Sequence, residues 1–160
     1  MKYSITGDNL QVANLEFMPG EIIYAEAGVM MYMSGNVTME AKMKGGFLKG
    51  IKRKMTGESF FMTEFQAHGG NGLAGFAGNV PGKIMAIDLR GGKEWLLQKD
   101  SFLCAENMVD LDIAFQRRLG ATFFGGEGFI LQRTRGEGTV FIHAAGDLVE
   151  FELQPGQVTK

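Results

Sequence analysis

Hydrophobic and polar residues alternate strictly along several short stretches of the chain. In the clearest stretch, residues 37–44, an apolar residue occupies every second position, and Thr, Glu or Lys occupies the positions between. A period of two residues is typical of a β-strand with one buried face. The same alternation returns further along the chain, at residues 109–116. Both stretches are therefore predicted to be half-buried strands.

Further stretches recur at a similar spacing, which indicates an internal repeat. Residues 126–132 resemble residues 57–63, and residues 146–153 repeat the strand pattern of residues 82–89. The strand patterns keep their order while the spacing between copies contracts along the chain, so insertions and deletions are expected to fall in the loops. The sequence therefore predicts a tandem duplication of one β unit.

The repeat predicts two subdomains, at residues 1–90 and 91–155, and the start of a third repeat at residues 156–160. The third is predicted because residues 151–157 resemble residues 15–21, and both contain a Pro-Gly pair. No Pro- or Ser-rich linker and no long helical pattern separates the units, so they are expected to pack together. The predicted fold class is all-β, a tandem repeat of small antiparallel subdomains of β-sandwich or β-helix-like form.

Composition and charge exclude several classes of protein. The chain is 45% hydrophobic and 21% charged, which argues against disorder. Its net charge of −2 argues against a nucleic-acid partner, which usually requires a basic face. Cys104 is the single cysteine, so no disulfide forms within the chain. No apolar run approaches the roughly 20 residues of a membrane span, and the sequence begins without a signal-peptide pattern. We therefore expect a soluble, cytoplasmic protein.

The candidate reactive residues do not form a recognisable site. The only histidines, His68 and His143, lie at non-equivalent places in the repeat, whereas a metal site needs several converging ligands. Residues 70–75 spell Gly-x-Gly-x-x-Gly, but no helix pattern follows to receive a phosphate. Asp110 and Asp112 share one strand face and are better explained as a solvated surface. No catalytic, cofactor or metal site is predicted, and the protein is not expected to be an enzyme.

One segment, residues 42–55, breaks the strand pattern and holds six of the sixteen basic residues without an acidic one. Amphipathic basic helices can lie on anionic membranes or contact acidic partners. The alternative is a short helix packed on its own sheet with a solvated basic face. The residues expected to contact an anionic surface are Lys49, Lys52, Arg53 and Lys54.

Several short motifs resemble those of the altered inheritance of mitochondria protein 24 family. They are Pro19–Glu21, Ala25–Met30, Gly57–Phe61, Pro81–Gly82 and Ser101–Ala105. The resemblance implies a β fold like that of the tryptophan RNA-binding attenuation protein (TRAP-like), built from repeated subdomains that assemble as a homotrimer. Members of this family in mitochondria support the organisation of the inner membrane. The resemblance supplies no catalytic residues.

Three functions remain open from the sequence. The first is a non-enzymatic homo-oligomeric scaffold or assembly protein without a cofactor, which the apolar repeats and the missing site chemistry favour. The second is a binding module for an anionic membrane surface, another polyanion or a protein partner, through the basic segment. The third is an enzyme whose site is assembled between subunits. Nucleic acid is the partner least expected.

Overall fold

The computed structural model of the chain is built from antiparallel β-strands, which confirms the predicted all-β class. The structure describes residues 1–42, 62–117 and 129–159. A single turn of 3-10 helix, Lys99–Ser101, precedes the tenth strand. The strands in the described ranges are β1 (Lys2–Thr6), β2 (Val12–Phe17), β3 (Ile22–Glu26), β4 (Met30–Met33), β5 (Val37–Lys42), β6 (Met62–Ala67), β7 (Gly72–Phe76), β8 (Gly82–Asp88), β9 (Trp95–Gln98), β10 (Phe102–Glu106), β11 (Val109–Arg117), β12 (Phe129–Gly136) and β13 (Thr139–Ala145).

The strands form three sheets. The first has the order β1-β2-β7-β4, the second β5-β6-β3-β10-β13-β8, and the third β11-β12-β9. The strand pairs within the sheets are antiparallel. At the centre of the second sheet, β3 pairs with β10, although the two strands are far apart in sequence. We call this β3–β10 pairing the joint.

The hydrophobic core consists of two clusters that meet at the joint. Large buried side chains of the first cluster include Leu15, Phe17, Phe65, Phe76 and Phe141. The second cluster lies on the other face of the joint and includes Tyr24, Leu97, Phe102 and Leu111. Strands β3 and β10 supply residues to both clusters, because a strand directs successive side chains to opposite faces. The joint therefore lies at the centre of the core.

The alternating patterns identify the positions of two strands, but β5 is not half-buried as predicted, because Val37 is its only buried residue and Met39 is 53% exposed. Residues 37–42 form β5 and residues 109–117 form β11. Most of the glycine-rich residues 70–75 lie within β7, which begins at Gly72, so the Gly-x-Gly-x-x-Gly pattern is part of a strand. Within the described part of the chain, no helix is long and apolar enough to cross a membrane.

The predicted strand at residues 146–153 is not observed. Gly146 makes a single bridge to Gly82, and the residues that follow it to position 159 lie outside strands. The similar patterns of β2 and β8 are strands because they pair with β7 and β13, respectively. Each of these two partners, β7 and β13, has a strand on both of its sides, so neither has a free side for residues 146–153. An alternating pattern becomes a strand only where a neighbour accepts its backbone hydrogen bonds.

Candidate functional site

The joint is buried along most of its length and pairs two strands that are far apart in sequence. Tyr24 of β3 lies opposite Ala105 of β10 and stacks on Phe102, with ring centroids 5.4 Å apart. Its hydroxyl donates a 2.8 Å hydrogen bond to the carbonyl oxygen of Val109. Burial, and then the nearby charge of Asp110, raise the pKa of the Tyr24 hydroxyl far above its ordinary value. Tyr24 is therefore a neutral anchor between the strands.

A pocket of about 330 Å³ opens beside the joint. The end of β3 and the loop after it line one side, through Glu26 and residues 27–29. The 3-10 turn and β10 line another side, with Asp100 among them, and His143 of β13 completes the wall. The pocket thus brings together three titratable side chains from distant parts of the chain.

The carboxyl group of Glu26, which lines this pocket, has a pKa above its ordinary value. Burial, and then the charge of Asp100, raise the pKa of Glu26, while Lys99 opposes this change. Two carboxylates that share a pocket favour a cationic or hydrogen-bond-donating ligand. In the described ranges, no group of three or more potential metal ligands is found.

The ring of His143 is buried and packed against glycine. A Cβ atom at Gly78 would meet three atoms of the imidazole ring, and one at Gly82 would lie 2.7 Å from its Nε2. These two glycines therefore make room for the ring at the pocket wall. The arrangement fixes the ring position but places only one histidine in the pocket.

Two sheet edges form a second candidate site. Strand β4 ends the first sheet and β9 ends the third sheet. Their sequences, Met-Met-Tyr-Met and Trp-Leu-Leu-Gln, carry no charge. The other edge strands of the described sheets, β1, β5, β8 and β11, each contain charged residues. Charged side chains normally protect a sheet edge from pairing with another chain, so β4 and β9 are edges without this protection.

The large side chains on these two edges are partly exposed. Those with substantial exposure are Met31, Tyr32, Trp95 and Leu96. The Tyr32 hydroxyl donates a hydrogen bond to the side-chain oxygen of Asn14 on its own sheet. Its ring also covers Gly75, where a Cβ atom would collide with it. Tyr32 is thus held along its own sheet and does not fold over the outer edge of β4.

The basic residues predicted to contact an anionic surface, Lys49, Lys52, Arg53 and Lys54, lie outside the described residues. Lys42, at the start of the same segment, is described. Its ammonium nitrogen lies 2.7 Å from Glu64, so its charge is already paired on the protein surface.

The other residues considered from sequence do not converge on the pocket. His68 is exposed and lies 2.9 Å from the Thr38 hydroxyl, away from the His143 pocket. Asp112 forms an ion pair of 3.1 Å with Arg135, as expected for a solvated strand face. Cys104 is completely buried, and burial raises the pKa of its thiol, so it is held as an unreactive thiol.

No signal in the sequence pointed to Glu26 and Asp100 as pocket residues. They are far apart along the chain and belong to no shared motif. Only the pairing of β3 with β10 brings them to one place. The packing of the His143 ring against Gly78 and Gly82 is likewise visible only in the structure.

The chain matches a known protein family over almost its whole length. The sequence profile of the family described as mitochondrial biogenesis AIM24 matches residues 3–160. The chain belongs to the AIM24 family. The family resemblance inferred from the short motifs is thereby confirmed.

Two relatives of this AIM24 chain come from Streptococcus pyogenes. An uncharacterised protein of serotype M6 is 32% identical over 156 residues, which cover 92% of the present chain and 62% of the relative. The crystal structure of a protein from the same species, determined by a structural genomics consortium, matches with a TM-score of 0.70 and 29% identity. This match covers 91% of the present chain and 65% of the other. The AIM24 chain therefore spans less than two thirds of the length of either relative.

Proposed function

We propose that this chain is a non-enzymatic scaffold that assembles with copies of itself in the cytoplasm. The observation that carries the proposal is the pair of uncharged, partly exposed sheet edges, β4 and β9. Exposed apolar edges favour strand pairing between chains. The family resemblance suggests a trimer as the assembly. The single buried thiol of Cys104 is compatible with a reducing compartment.

We also propose that the chain is a tandem duplication, which would explain why it has these two edges. The pairing order β5-β6-β3 is matched by β11-β12-β9, and the order β2-β7-β4 by β8-β13-β10. Irregularities match as well: the register shifts in β4 between Met30 and Tyr32, and in β10 between Phe102 and Cys104. These correspondences support two units, but they make β8 (Gly82–Asp88) the first strand of the second unit and therefore favour a boundary before residue 82 over the predicted one between residues 90 and 91.

The start of a third repeat has its own support in a turn. The backbone N–H of Glu21 donates to the Met18 carbonyl at 3.0 Å, and that of Gln157 donates to the Gln154 carbonyl at 2.9 Å. In each turn, the last side chain also accepts a hydrogen bond from the first backbone N–H, at 2.8 Å and 2.9 Å. The glycine in each turn has a positive φ, 92° and 88°. The two Pro-Gly turns are therefore built in the same way.

The scaffold proposal is tested by measuring the mass of the assembly. We expect size-exclusion chromatography with light scattering, at micromolar concentration, to give a multiple of the 17.5 kDa chain. The double variant Met31→Lys, Leu96→Lys places a charge on each unprotected edge and is expected to be monomeric. Thr38→Lys, on the already charged β5 edge, is the matched control and should remain assembled. A monomeric wild type would refute the proposal.

A second candidate is a binding module for an anionic membrane surface or another polyanion. The basic segment that includes Lys49, Lys52, Arg53 and Lys54 supports it, because six basic residues occur there without an acidic one. The test is flotation with liposomes that contain anionic lipid, comparing wild type with a variant in which these four residues are Ser. Equal flotation of the two proteins would exclude the basic segment as the binding site.

A third candidate is an enzyme or ligand-binding protein whose site is completed between subunits. The pocket favours it, because Glu26, Asp100 and His143 line one cavity. Small amines are suitable probes, since two carboxylates favour a cation. Thermal-shift measurements with a panel of amines should show stabilisation of wild type and a smaller effect in Glu26→Gln. No stabilisation at millimolar amine would argue against this candidate.

A further inference from the structure

We propose that the pocket beside the joint binds a small amino alcohol, with Glu26 and Asp100 holding the ammonium group and His143 bonding to the hydroxyl group. The inference goes beyond self-assembly. It rests on the ligand-binding candidate above, for which it names the chemistry of the ligand and the residue that contacts each part. The three side chains come from one chain, so the site needs no second copy.

The pocket opens where the two strands of the joint separate. The last pair of the joint is Ala25 with Cys104, and β3 ends one residue later at Glu26. Strand β10 begins at Phe102, and its register against β13 shifts between Phe102 and Cys104. An irregularity of this kind bends a strand and re-aims its side chains. At this end of the ladder, the buried side chains of Phe102 and Leu103 form part of the pocket wall.

Glu26 is a partly buried carboxylate that forms no hydrogen bond or ion pair with another residue of the described part of the chain. By contrast Glu106, at the other end of the joint, has a side chain that is 19% exposed and accepts a 2.8 Å hydrogen bond from Arg90. Burial, and then the charge of Asp100, keep the pKa of Glu26 raised although Lys99 opposes them. A cation that enters the pocket would favour the ionised carboxylate. The ammonium group of a ligand supplies such a cation.

His143 adds a buried polar group that lacks a partner. The residue is only 8% exposed, and its ring nitrogens form no hydrogen bond with any residue that the structure describes. These nitrogens are nevertheless open to solvent, because the one unbonded side-chain polar atom that is sealed off in the described ranges is Oε1 of Gln132. Buried polar groups are normally hydrogen-bonded. A hydroxyl group both donates and accepts, so it can bond to an imidazole nitrogen of either kind.

The three polar side chains of the pocket are not shared between the two proposed units. The repeat aligns β3 with β9, β4 with β10 and β7 with β13. In this alignment the counterparts of Glu26, Asp100 and His143 are Gln98, Gly28 and Ala77, respectively. Side chains that the packing of both units required would recur at equivalent places. The titratable groups therefore belong to this one pocket and are not a requirement of the fold.

The size and lining of the pocket define the class of ligand. Ligand pockets run from about 300 to 1,000 Å³, so a volume of about 330 Å³ suits a small molecule. Phe102 and Leu103 provide an apolar wall for a hydrocarbon or aromatic body. A bare metal ion fits less well, because the described ranges contain no group of three potential metal ligands. The ligand that matches all parts is an amino alcohol with a small apolar body.

The test is isothermal titration calorimetry of the full chain with three matched probes. Phenylethanolamine carries the ammonium, the hydroxyl and an aromatic body. Methylphenylcarbinol lacks the amino group, and phenethylamine lacks the hydroxyl group. We expect methylphenylcarbinol to bind at least about tenfold more weakly than phenylethanolamine, because it loses the hydrogen bonds to charged groups. Phenethylamine should bind roughly fivefold more weakly, because it loses one neutral hydrogen bond.

Three variants assign the contacts to residues. Glu26→Gln keeps the shape of the side chain and should weaken phenylethanolamine binding by about tenfold. Glu137→Gln is the matched control, since it removes the same charge from an exposed position beyond the end of β13 that is away from His143, and it should bind like wild type. His143→Leu should bind phenylethanolamine and phenethylamine equally. If circular dichroism shows His143→Leu to be unfolded, the two ligands compared on wild type test the same contact.

The outcomes separate this inference from the proposed functions. Binding in the expected order, lost in Glu26→Gln and kept in Glu137→Gln, supports the amino-alcohol site. No binding at millimolar phenylethanolamine, equal binding of either analogue, or unchanged binding by Glu26→Gln overturns it. Binding by assembled wild type that is absent from a monomeric Met31→Lys, Leu96→Lys variant also overturns the single-chain site, but leaves the candidate with a site between subunits standing. The scaffold proposal is decided separately, by the mass of the protein without ligand.

Discussion

Replacing Tyr24 with Phe is expected to weaken the joint without disturbing its packing. The change removes only the hydroxyl that donates a 2.8 Å hydrogen bond to the Val109 carbonyl, on a strand far away in sequence. The phenyl ring keeps its stacking on Phe102 and leaves no cavity in the second cluster. The effect therefore reports on one hydrogen bond between β3 and the start of β11.

The magnitude follows from the usual contribution of one hydrogen bond. A neutral intramolecular hydrogen bond contributes about 0.5–1.5 kcal/mol to stability. We expect Tyr24→Phe to lower the free energy of unfolding by about 0.5–1.5 kcal/mol. For a chain of this length, such a loss lowers the Tm by roughly 1–6 °C.

The assay is urea unfolding followed by far-ultraviolet circular dichroism, with Tyr3→Phe as the matched control. Tyr3 is exposed and contacts Phe141 in an edge-on arrangement of the two rings. Its substitution should change stability by less than about 0.5 kcal/mol. If Tyr24→Phe were no less stable than Tyr3→Phe, the hydroxyl would not strengthen the joint and the reasoning would be wrong. A loss above about 4 kcal/mol would show that packing, and not the hydrogen bond, dominates.

Three further predictions concern the pocket and residues 148–160. Glu26→Gln removes a partly buried negative charge and should therefore raise the Tm at pH 7.5. The increase should be a few degrees at most, because solvent screens the half-exposed side chain. Burial raises the folded-state pKa of Glu26 above 4.5, so the gain appears as pH rises through that pKa and should be absent at pH 4. Gly78→Ala should cost about 1–3 kcal/mol by driving a Cβ into the His143 ring, whereas Gly70→Ala, which has open space, should cost less than about 1 kcal/mol in urea unfolding. Deleting residues 148–160 should shift the Tm by less than about 2 °C in a thermal scan, because residues 148–159 are exposed and lie outside strands.

The local features of the fold were well encoded in the pattern of residues. The alternation at residues 37–42 and 109–117 identified the positions of β5 and β11, because successive side chains of a strand point to opposite faces. It did not predict burial at β5, where Val37 is buried and Met39 is exposed. The burial of Cys104 also followed from its apolar neighbours. The pattern at residues 146–153 was misleading, because alternation records which face could be buried and not whether a partner strand is present.

The candidate sites depended on contacts between distant residues. Glu26 and Asp100 share a pocket only because β3 pairs with β10, and no short motif connects them. Trp95 and Leu96 are apolar, and only the structure shows that they lie on a strand at the end of a sheet and are partly exposed.

The sequence by itself determined the all-β class, the AIM24 family and the places of several strands. Only the tertiary structure decided which strands are neighbours, where the pocket lies and that β4 and β9 end their sheets within the described part of the chain. The physical reason is that a side-chain pattern acts within a strand, whereas backbone hydrogen bonding between strands is decided by whichever segments meet. Strands with similar apolar patterns can therefore lie in the core, as β3 and β10 do, or at the end of a sheet with partly exposed side chains, as β4 and β9 do.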